Sequence, residues 1–324
     1  LSKVPTWGFF FELLRGDMLD LHSHTTASDG TLSPEQLVAL ASEAGITMLA
    51  ITDHDTMAGY LSIEQDFNQV NVAKTNCQQL SANQTNNIRL IAGVEVSCRH
   101  TLLGGYNKHN QGAERIIHVV GLDIQDTATM QHALQGTQIS RGVRARQMVE
   151  KLAKLLEHDV EYLWQAVLKK VAGNANTLGR AHIAQVLNEL GLVKATQEAF
   201  DKYLADGKPA YVAIDSPTMP EAVALIHRCG GLAVLAHPTR YGLSATRVRR
   251  LIADFAQMGG DGCELPSDSE PKSTRQMIDR AIASNALLVS VGSDFHGASM
   301  PWRKLGQVPT LNVGQTGVWE RFRL

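Results

Sequence analysis

His22 and His24 stand in the run Asp20-Leu21-His22-Ser23-His24-Thr25, at the end of a short apolar stretch. In an extended chain, residues two apart share a face, so both imidazoles can reach one cation. Asp29 follows in a Ser-Asp-Gly turn. Thr52-Asp53-His54-Asp55 follows a second apolar run, Glu95 ends a third, and His118 lies inside a fourth as Ile-His-Val. His237-Pro238 closes a fifth run, and Asp294-Phe295-His296 closes the last. Each has a bland reading alone. His118 suits a hydrogen-bonded core histidine, Asp29 and Asp55 suit turns or caps, and Glu95 suits a solvated strand end. Together they are three carboxylates (Asp29, Glu95, Asp294) and six imidazoles (His22, His24, His54, His118, His237, His296). Crowded on one face, they would repel or strand their polar groups unless cations held them. Mixed His and carboxylate donors without thiolate suit Mn, Zn or Fe at a hydrolytic site. The donors are too many for one ion, so two or three are expected.

Something must bring these residues together. Apolar runs at 18–21, 47–52, 89–96, 115–122, 231–238, 261–265 and 286–294 alternate with helical patterns such as 34–45, 219–229 and 246–258. Ser33-Pro34-Glu35 is a helix start, with Ser33 as cap and Pro34 at the first helical position. The alternation predicts a parallel sheet, and this many repeats predict a barrel. Strand ends of such a barrel converge on one face, where catalysis is built. Residues 124–207 show helical periodicity without a strand and read as an inserted helical subdomain. The barrel itself is expected from 18–123 and 208–324. Residues 1–17 read as an appendage ahead of Met18, and 66–88 and 100–113 as loops.

Composition bounds the function. The chain has 324 residues, 44% hydrophobic and 19% charged, an ordinary globular balance. Its formal net charge of −2 gives no global basic field, so nucleic acid can be met only through a local patch. Four cysteines without a CxxC pair argue against a disulfide scaffold and a thiolate zinc site. The apolar run at 7–14 is too short to span a bilayer. A cytoplasmic protein with no membrane and no obligate protein partner is expected.

The ordered set HSH, TDHD, GVE, IHVVG, AHP and GSDFH resembles the PHP family of metal phosphoesterases, named for its polymerase and histidinol phosphatase members. The segments KYLADGKPAYV (202–212), LAHPTRY (235–241) and GRAHIA (179–184) resemble a subgroup of 3′,5′-nucleoside bisphosphate phosphatases and 5′→3′ exoribonucleases. The resemblance implies a distorted (β/α)7 barrel with three divalent ions, usually manganese, with Zn2+, Fe2+ or Mg2+ as alternatives. By motif position, the first ion would take His22, His24, Glu95 and Asp294. The second would share Glu95 and add His118 and His237, and the third would take Asp29, His54 and His296. Glu95, His237 and Asp294 are then the residues closest to the chemistry.

The implied substrates are nucleoside 3′,5′-bisphosphates or 5′-phosphorylated RNA. Arg180, Lys208 and Arg240 occupy subgroup motif positions, with His182 two residues after Arg180, and are expected to hold the phosphate that is not cleaved. Arg141, Arg144 and Arg146 fall on one helix and would extend a path for RNA phosphates, or form an ordinary exposed face. Asp53 is expected to cap the following helix, with orientation of a metal ligand as the second reading. A histidinol phosphatase and a non-catalytic metal-stabilised scaffold are the competing functions; the GRAHIA and GKPAYV segments argue against the first and the full donor set against the second.

Overall fold

The computed structural model describes residues 18–64, 88–102, 114–298 and 300–323. The expected appendage at 1–17 and most of the loops expected at 66–88 and 100–113 lie outside the described residues. Seven strands form one sheet in chain order: β1 (Met18–Asp20), β2 (Ile46–Ile51), β3 (Arg89–Thr101), β4 (Glu114–Leu122), β5 (Leu232–Leu235), β6 (Gly262–Glu264) and β7 (Leu288–Ser290). The ends of the sheet meet. Leu21 N–H donates to Val291 O at 3.0 Å and Asp294 N–H to His22 O at 2.9 Å, so the chain after β1 runs beside the chain after β7.

The expected all-parallel sheet needs a correction. β1, β2 and β3 are parallel, as are β5, β6 and β7, but β4 is antiparallel to both β3 and β5. Apolar runs look alike in either direction, and a hairpin joins β3 to β4 where other neighbours are joined by helices. β3 also runs on to Thr101, beyond the expected end at residue 96. Its pairing with β4 continues from Gly93↔Leu122 to Thr101↔Glu114, well past the ladder with β2. The outer half of this hairpin projects from the sheet as an arm. Glu95 therefore lies mid-strand.

Helices pack outside the sheet. α1 (Pro34–Glu43) starts as expected, with Ser33 and Gln36 forming a reciprocal capping box. A second helix, α2, begins at residue 58. Between β4 and β5 come α3 (Thr127–Ala133), α4 (Gln135–Leu155), α5 (Val160–Lys169), α6 (Arg180–Glu189) and α7 (Thr196–Ala199), the last running into a π-helical turn at Phe200–Leu204. α8 (Met219–Arg228), α9 (Ala245–Gln257) and α10 (Lys272–Ser284) complete the set.

Burial follows this division. Leu21, Ala50, Ile91, Val120, Leu122, Val234 and Ala236 from the strands cluster with Val318 and Phe322 near the C-terminus. Ala145, Met148, Val149 and Leu152 repeat at i, i+3, i+4, i+7 on α4 and join Leu163, Ile183, Val186 and Leu204 in a separate apolar cluster. The α4–α7 segment thus buries its own apolar face, and Gln138 and Arg141 of α4 bond it to Asp55. Cys98, Cys229 and Cys263 are buried free thiols. Among the described residues no helix is long and apolar enough to cross a membrane.

Candidate metal centre

Ser23 fixes the first pair of imidazoles. Its hydroxyl donates to Ala50 O at 2.7 Å and its N–H to Thr52 Oγ1 at 3.1 Å. Ser23 thus faces β2, and His22 and His24 face the other side. Their Nε2 atoms lie 3.1 Å apart. His22 Nε2 is 3.3 Å from Glu95 Oε2, and His24 Nε2 is 3.1 Å from Asp294 Oδ1. His54 Nδ1 reaches Glu95 Oε2 at 2.8 Å, while its Nε2 faces Asp29 Oδ1 at 3.7 Å. His118 Nδ1 and His237 Nε2 both meet Glu95 Oε1, at 2.8 and 2.9 Å. His296 Nε2 is 3.3 Å from Asp29 Oδ1. All nine residues singled out by spacing therefore converge on one cluster.

Two acceptors behind the cluster orient its imidazoles, and one of them, Glu264, was not singled out by the sequence. Glu264, at the end of β6, accepts from His22 Nδ1 at 2.6 Å and from the His237 N–H at 2.7 Å. The carbonyl of Asp294 accepts from His296 Nδ1 at 2.9 Å. Both imidazoles thereby donate from Nδ1, which leaves Nε2 as the nitrogen that faces the cluster. The signal for Glu264 was its place at a strand end within DGCEL.

Asp53 does not cap a helix. Its Oδ1 accepts from Thr25 N–H (2.7 Å) and Ser28 hydroxyl (2.6 Å), and its Oδ2 from Thr25 hydroxyl (2.6 Å). It therefore organises the loop that presents Asp29. Gly59 makes room for it, since a Cβ there would lie 2.1 Å from Asp53 Oδ2. Gly292 plays the same part beside His22, where a Cβ would meet the imidazole's own Cβ at 2.3 Å. His237 and Asp294 hold positive φ (28° and 53°), a strained conformation that aims their side chains.

The electrostatics ask for cations. Burial alone would push the Glu95 carboxyl up, yet His54, His118 and His22 hold it well below its ordinary value. Burial would likewise raise Asp294, which His22 and His296 bring down. Burial opposes a charged His24, but Asp294 and Glu95 raise it to about 10. Imidazolium here stands in for other positive charge. Glu95 Oε2, Asp29 Oδ1 and His54 Nδ1 are buried, and although imidazole and carboxylate atoms crowd them, none makes a contact with hydrogen-bond geometry. Orphaned lone pairs of carboxylate and imidazole, gathered in groups of three and four within 4.8 Å, fit divalent cations.

The cluster opens into a cleft of about 700 Å3 between the β3–β4 arm and the helical segment. Arg180 and Arg240 line it, as expected. Arg180 pairs with Asp206 Oδ1 at 3.2 Å, and Arg115 with Asp206 Oδ2 at 3.3 Å. Arg240 is bonded to Asp294 Oδ2 together with Arg303, a residue that no motif marked. Arg141 and Arg144 line the cleft too. Burial, then the charges of Arg180 and Arg141, push Arg144 down to about 9. Lys208 and His182 do not face the cleft, and Arg146 follows the second of its two readings, an ordinary helix face. Lys208 is exposed and outside the cleft lining. His182 is buried, its Nδ1 accepting the Gly179 N–H at 3.0 Å, so it caps α6. Arg146 points away, to Glu150 and Glu161 at 3.0 Å each.

Known proteins match this arrangement. The PHP domain model matches residues 20–208. The 5'-3' exoribonuclease Rnm of Salmonella typhimurium is 37% identical over 94% of this chain and 93% of its own. The 3',5'-nucleoside bisphosphate phosphatase of Chromobacterium violaceum is 31% identical over 94% of this chain and 96% of its own. A solved structure from Bifidobacterium adolescentis, described as a metal-dependent phosphoesterase, superposes with TM-score 0.70 at 26% identity, covering 95% of this chain and 96% of that one. With a matching domain model, relatives over nearly its full length and a shared fold, the chain belongs to the PHP family.

Proposed function

We propose that the chain hydrolyses the phosphate ester on the 3′ oxygen of a nucleotide that carries a 5′ phosphate. With nothing beyond that ester the enzyme is a 3′,5′-nucleoside bisphosphate phosphatase. With a further nucleotide attached it is a 5′→3′ exoribonuclease releasing mononucleotides. The two are chemically one reaction. The observation that carries this reading is one cleft holding both the His/carboxylate cluster and a separate group of arginines around Asp206. The names of the two curated relatives support the same substrate pair.

We assign three divalent-ion positions, with manganese preferred: His22, His24, Glu95 and Asp294; Glu95, His118 and His237; Asp29, His54 and His296. The meeting of His118 and His237 on one Glu95 oxygen supports the second set, and the convergence of His54 and His296 on Asp29 supports the third. When bound, such ions supply an activated water and offset charge on the phosphoryl oxygens. The chain's own groups do the rest. Glu264 and the Asp294 carbonyl hold His22 and His296 in their metal-accepting tautomers. Arg144 and Arg180 bind the phosphate that stays, and Arg240 with Arg303 flanks the reacting end beside Asp294. Ser97 is the serine lining the cleft, and its hydroxyl accepts from Arg141 at 3.0 Å, so no base stands ready to make it a nucleophile.

Manganese-loaded protein should release phosphate from adenosine 3′,5′-bisphosphate and mononucleotides from short 5′-phosphorylated RNA. It should leave histidinol phosphate essentially untouched. Preference for histidinol phosphate, or equal rates on 5′-phosphorylated and 5′-hydroxyl RNA, would overturn the reading.

A further inference from the structure

The cleft is larger than two phosphates require, and one wall is unlike the rest. Phe200 borders it, on the same helical run as Gln197 and Asp201. Phe200 opens the π-helical turn Phe200–Leu204 that follows α7. Such turns insert a residue and change which side chains share a face, often at functional sites. The ring is only partly buried, and it packs on the apolar cluster of the helical segment, which gives it rigid support. The other aromatic ring at the cleft, Tyr241, is committed elsewhere: its hydroxyl accepts the His118 N–H at 2.9 Å and donates to Ala236 O at 3.1 Å.

We infer that Phe200 is the platform on which the nucleobase of the substrate stacks. The inference rests on the function proposed above and adds the place of the base to it. The Arg180 guanidinium sits over the Phe200 ring, 6.0 Å from its centroid, and 5.9 Å from that of Tyr211, with Asp206 at 3.2 Å. A phosphate held by Arg180 brings its own nucleoside beside Phe200. The polar groups nearest the ring do not offer a code. Gln197 Nε2 donates to Asp201 Oδ1 at 2.9 Å, and Asp201 is exposed to water. Beside the Arg180 guanidinium, this wall therefore offers a base the Phe200 ring, while Gln197 and Asp201 on the same helical run are exposed to water. Every base has a π face, so the site reads that a base is present and not which one.

The test compares adenosine 3′,5′-bisphosphate with 1-deoxyribose 3,5-bisphosphate, which has both phosphates and no base. Phe200→Leu keeps apolar volume without an aromatic face, and Phe200→Tyr keeps the face. Phe200→Leu should lower kcat/KM on the adenosine compound by about tenfold, within the roughly 5- to 150-fold range expected for one stacked base. It should leave the base-free compound unchanged, and Phe200→Tyr should match wild type on both. The uridine and guanosine bisphosphates should follow adenosine within a few-fold. Equal loss on both compounds, no loss on either, or strong discrimination among bases would overturn the inference. Absence of wild-type turnover on adenosine 3′,5′-bisphosphate would instead overturn the proposed function, and this inference with it.

Discussion

Glu264 accepts a hydrogen bond from His22 Nδ1 at 2.6 Å, joining the last residue of β6 to the first imidazole of the cluster. Its other oxygen holds the His237 N–H at 2.7 Å. One carboxylate outside the cleft lining thus orients the His22 imidazole and holds the His237 backbone. Glu264→Gln should therefore weaken metal binding about 10- to 100-fold, the usual cost of losing an outer partner of a ligating histidine. Titration of the metal-free variant checks this, and wild-type affinity would show that the contact does not matter.

Glu95 presents one oxygen to His118 and His237 and the other to His22, His24 and His54. In Glu95→Gln an amide nitrogen replaces one acceptor at the middle of the cluster. The variant should retain fewer ions per chain by metal analysis and lose turnover, with its circular dichroism unchanged. Retention of wild-type turnover would refute the shared role.

Arg180 and Arg240 should separate kinetically. A charge-assisted hydrogen bond contributes roughly 1.5–3 kcal/mol, or about 10- to 150-fold. Removing the substrate's 5′ phosphate should cost the wild type by about that factor and cost Arg180→Ala much less. Arg240→Ala, beside Asp294, should slow both substrates alike. Additive losses for Arg180→Ala would mean that it does not touch the 5′ phosphate.

Asp55 is fully buried, with its Oδ2 2.7 Å from Arg141 Nε and its Oδ1 accepting the Ser97 N–H at 2.7 Å. Arg141→Met leaves that carboxylate unpaired and should lower unfolding stability by about 3–5 kcal/mol in urea titrations. Adding Asp55→Asn should restore much of the loss. A single-variant loss below about 1 kcal/mol would contradict the burial of the pair.

Tyr241 fills the place where β4 and β5 part, between His118 N–H and Ala236 O. Tyr241→Phe orphans that N–H and should cost about 1–3 kcal/mol of stability in the metal-free protein. Calorimetry gives the figure, and an unchanged melting curve would refute it.

The clustering of the nine His and carboxylate side chains was legible because chemistry and position coincide in them: His22, His54, His237 and Asp294 each follow an apolar run. His118 was legible only in company, since one histidine among aliphatic residues is usually core. The direction of β4 was not legible, because periodicity reports burial and carries no polarity along the strand. Glu264 and Arg303 escaped because their work depends on pairings across the barrel that no local spacing encodes. Lys208 and His182 failed for the converse reason: motif neighbours placed them near the site, while their side chains went to solvent and to a helix cap.

The seam of the barrel has a consequence for how the protein comes into being. His24 N–H meets Phe295 O and Asp294 N–H meets His22 O, each at 2.9 Å, so the earliest and latest strands touch where donors from both converge. Contacts of such sequence separation carry the largest loop-closure entropy and form late. A nascent chain that has not yet emitted Asp294 and His296 lacks part of the donor set, however well its first half has folded. Cation uptake at the two proposed positions that include Asp294 or His296 would thus require a finished barrel, and ions held there would clasp first strand to last.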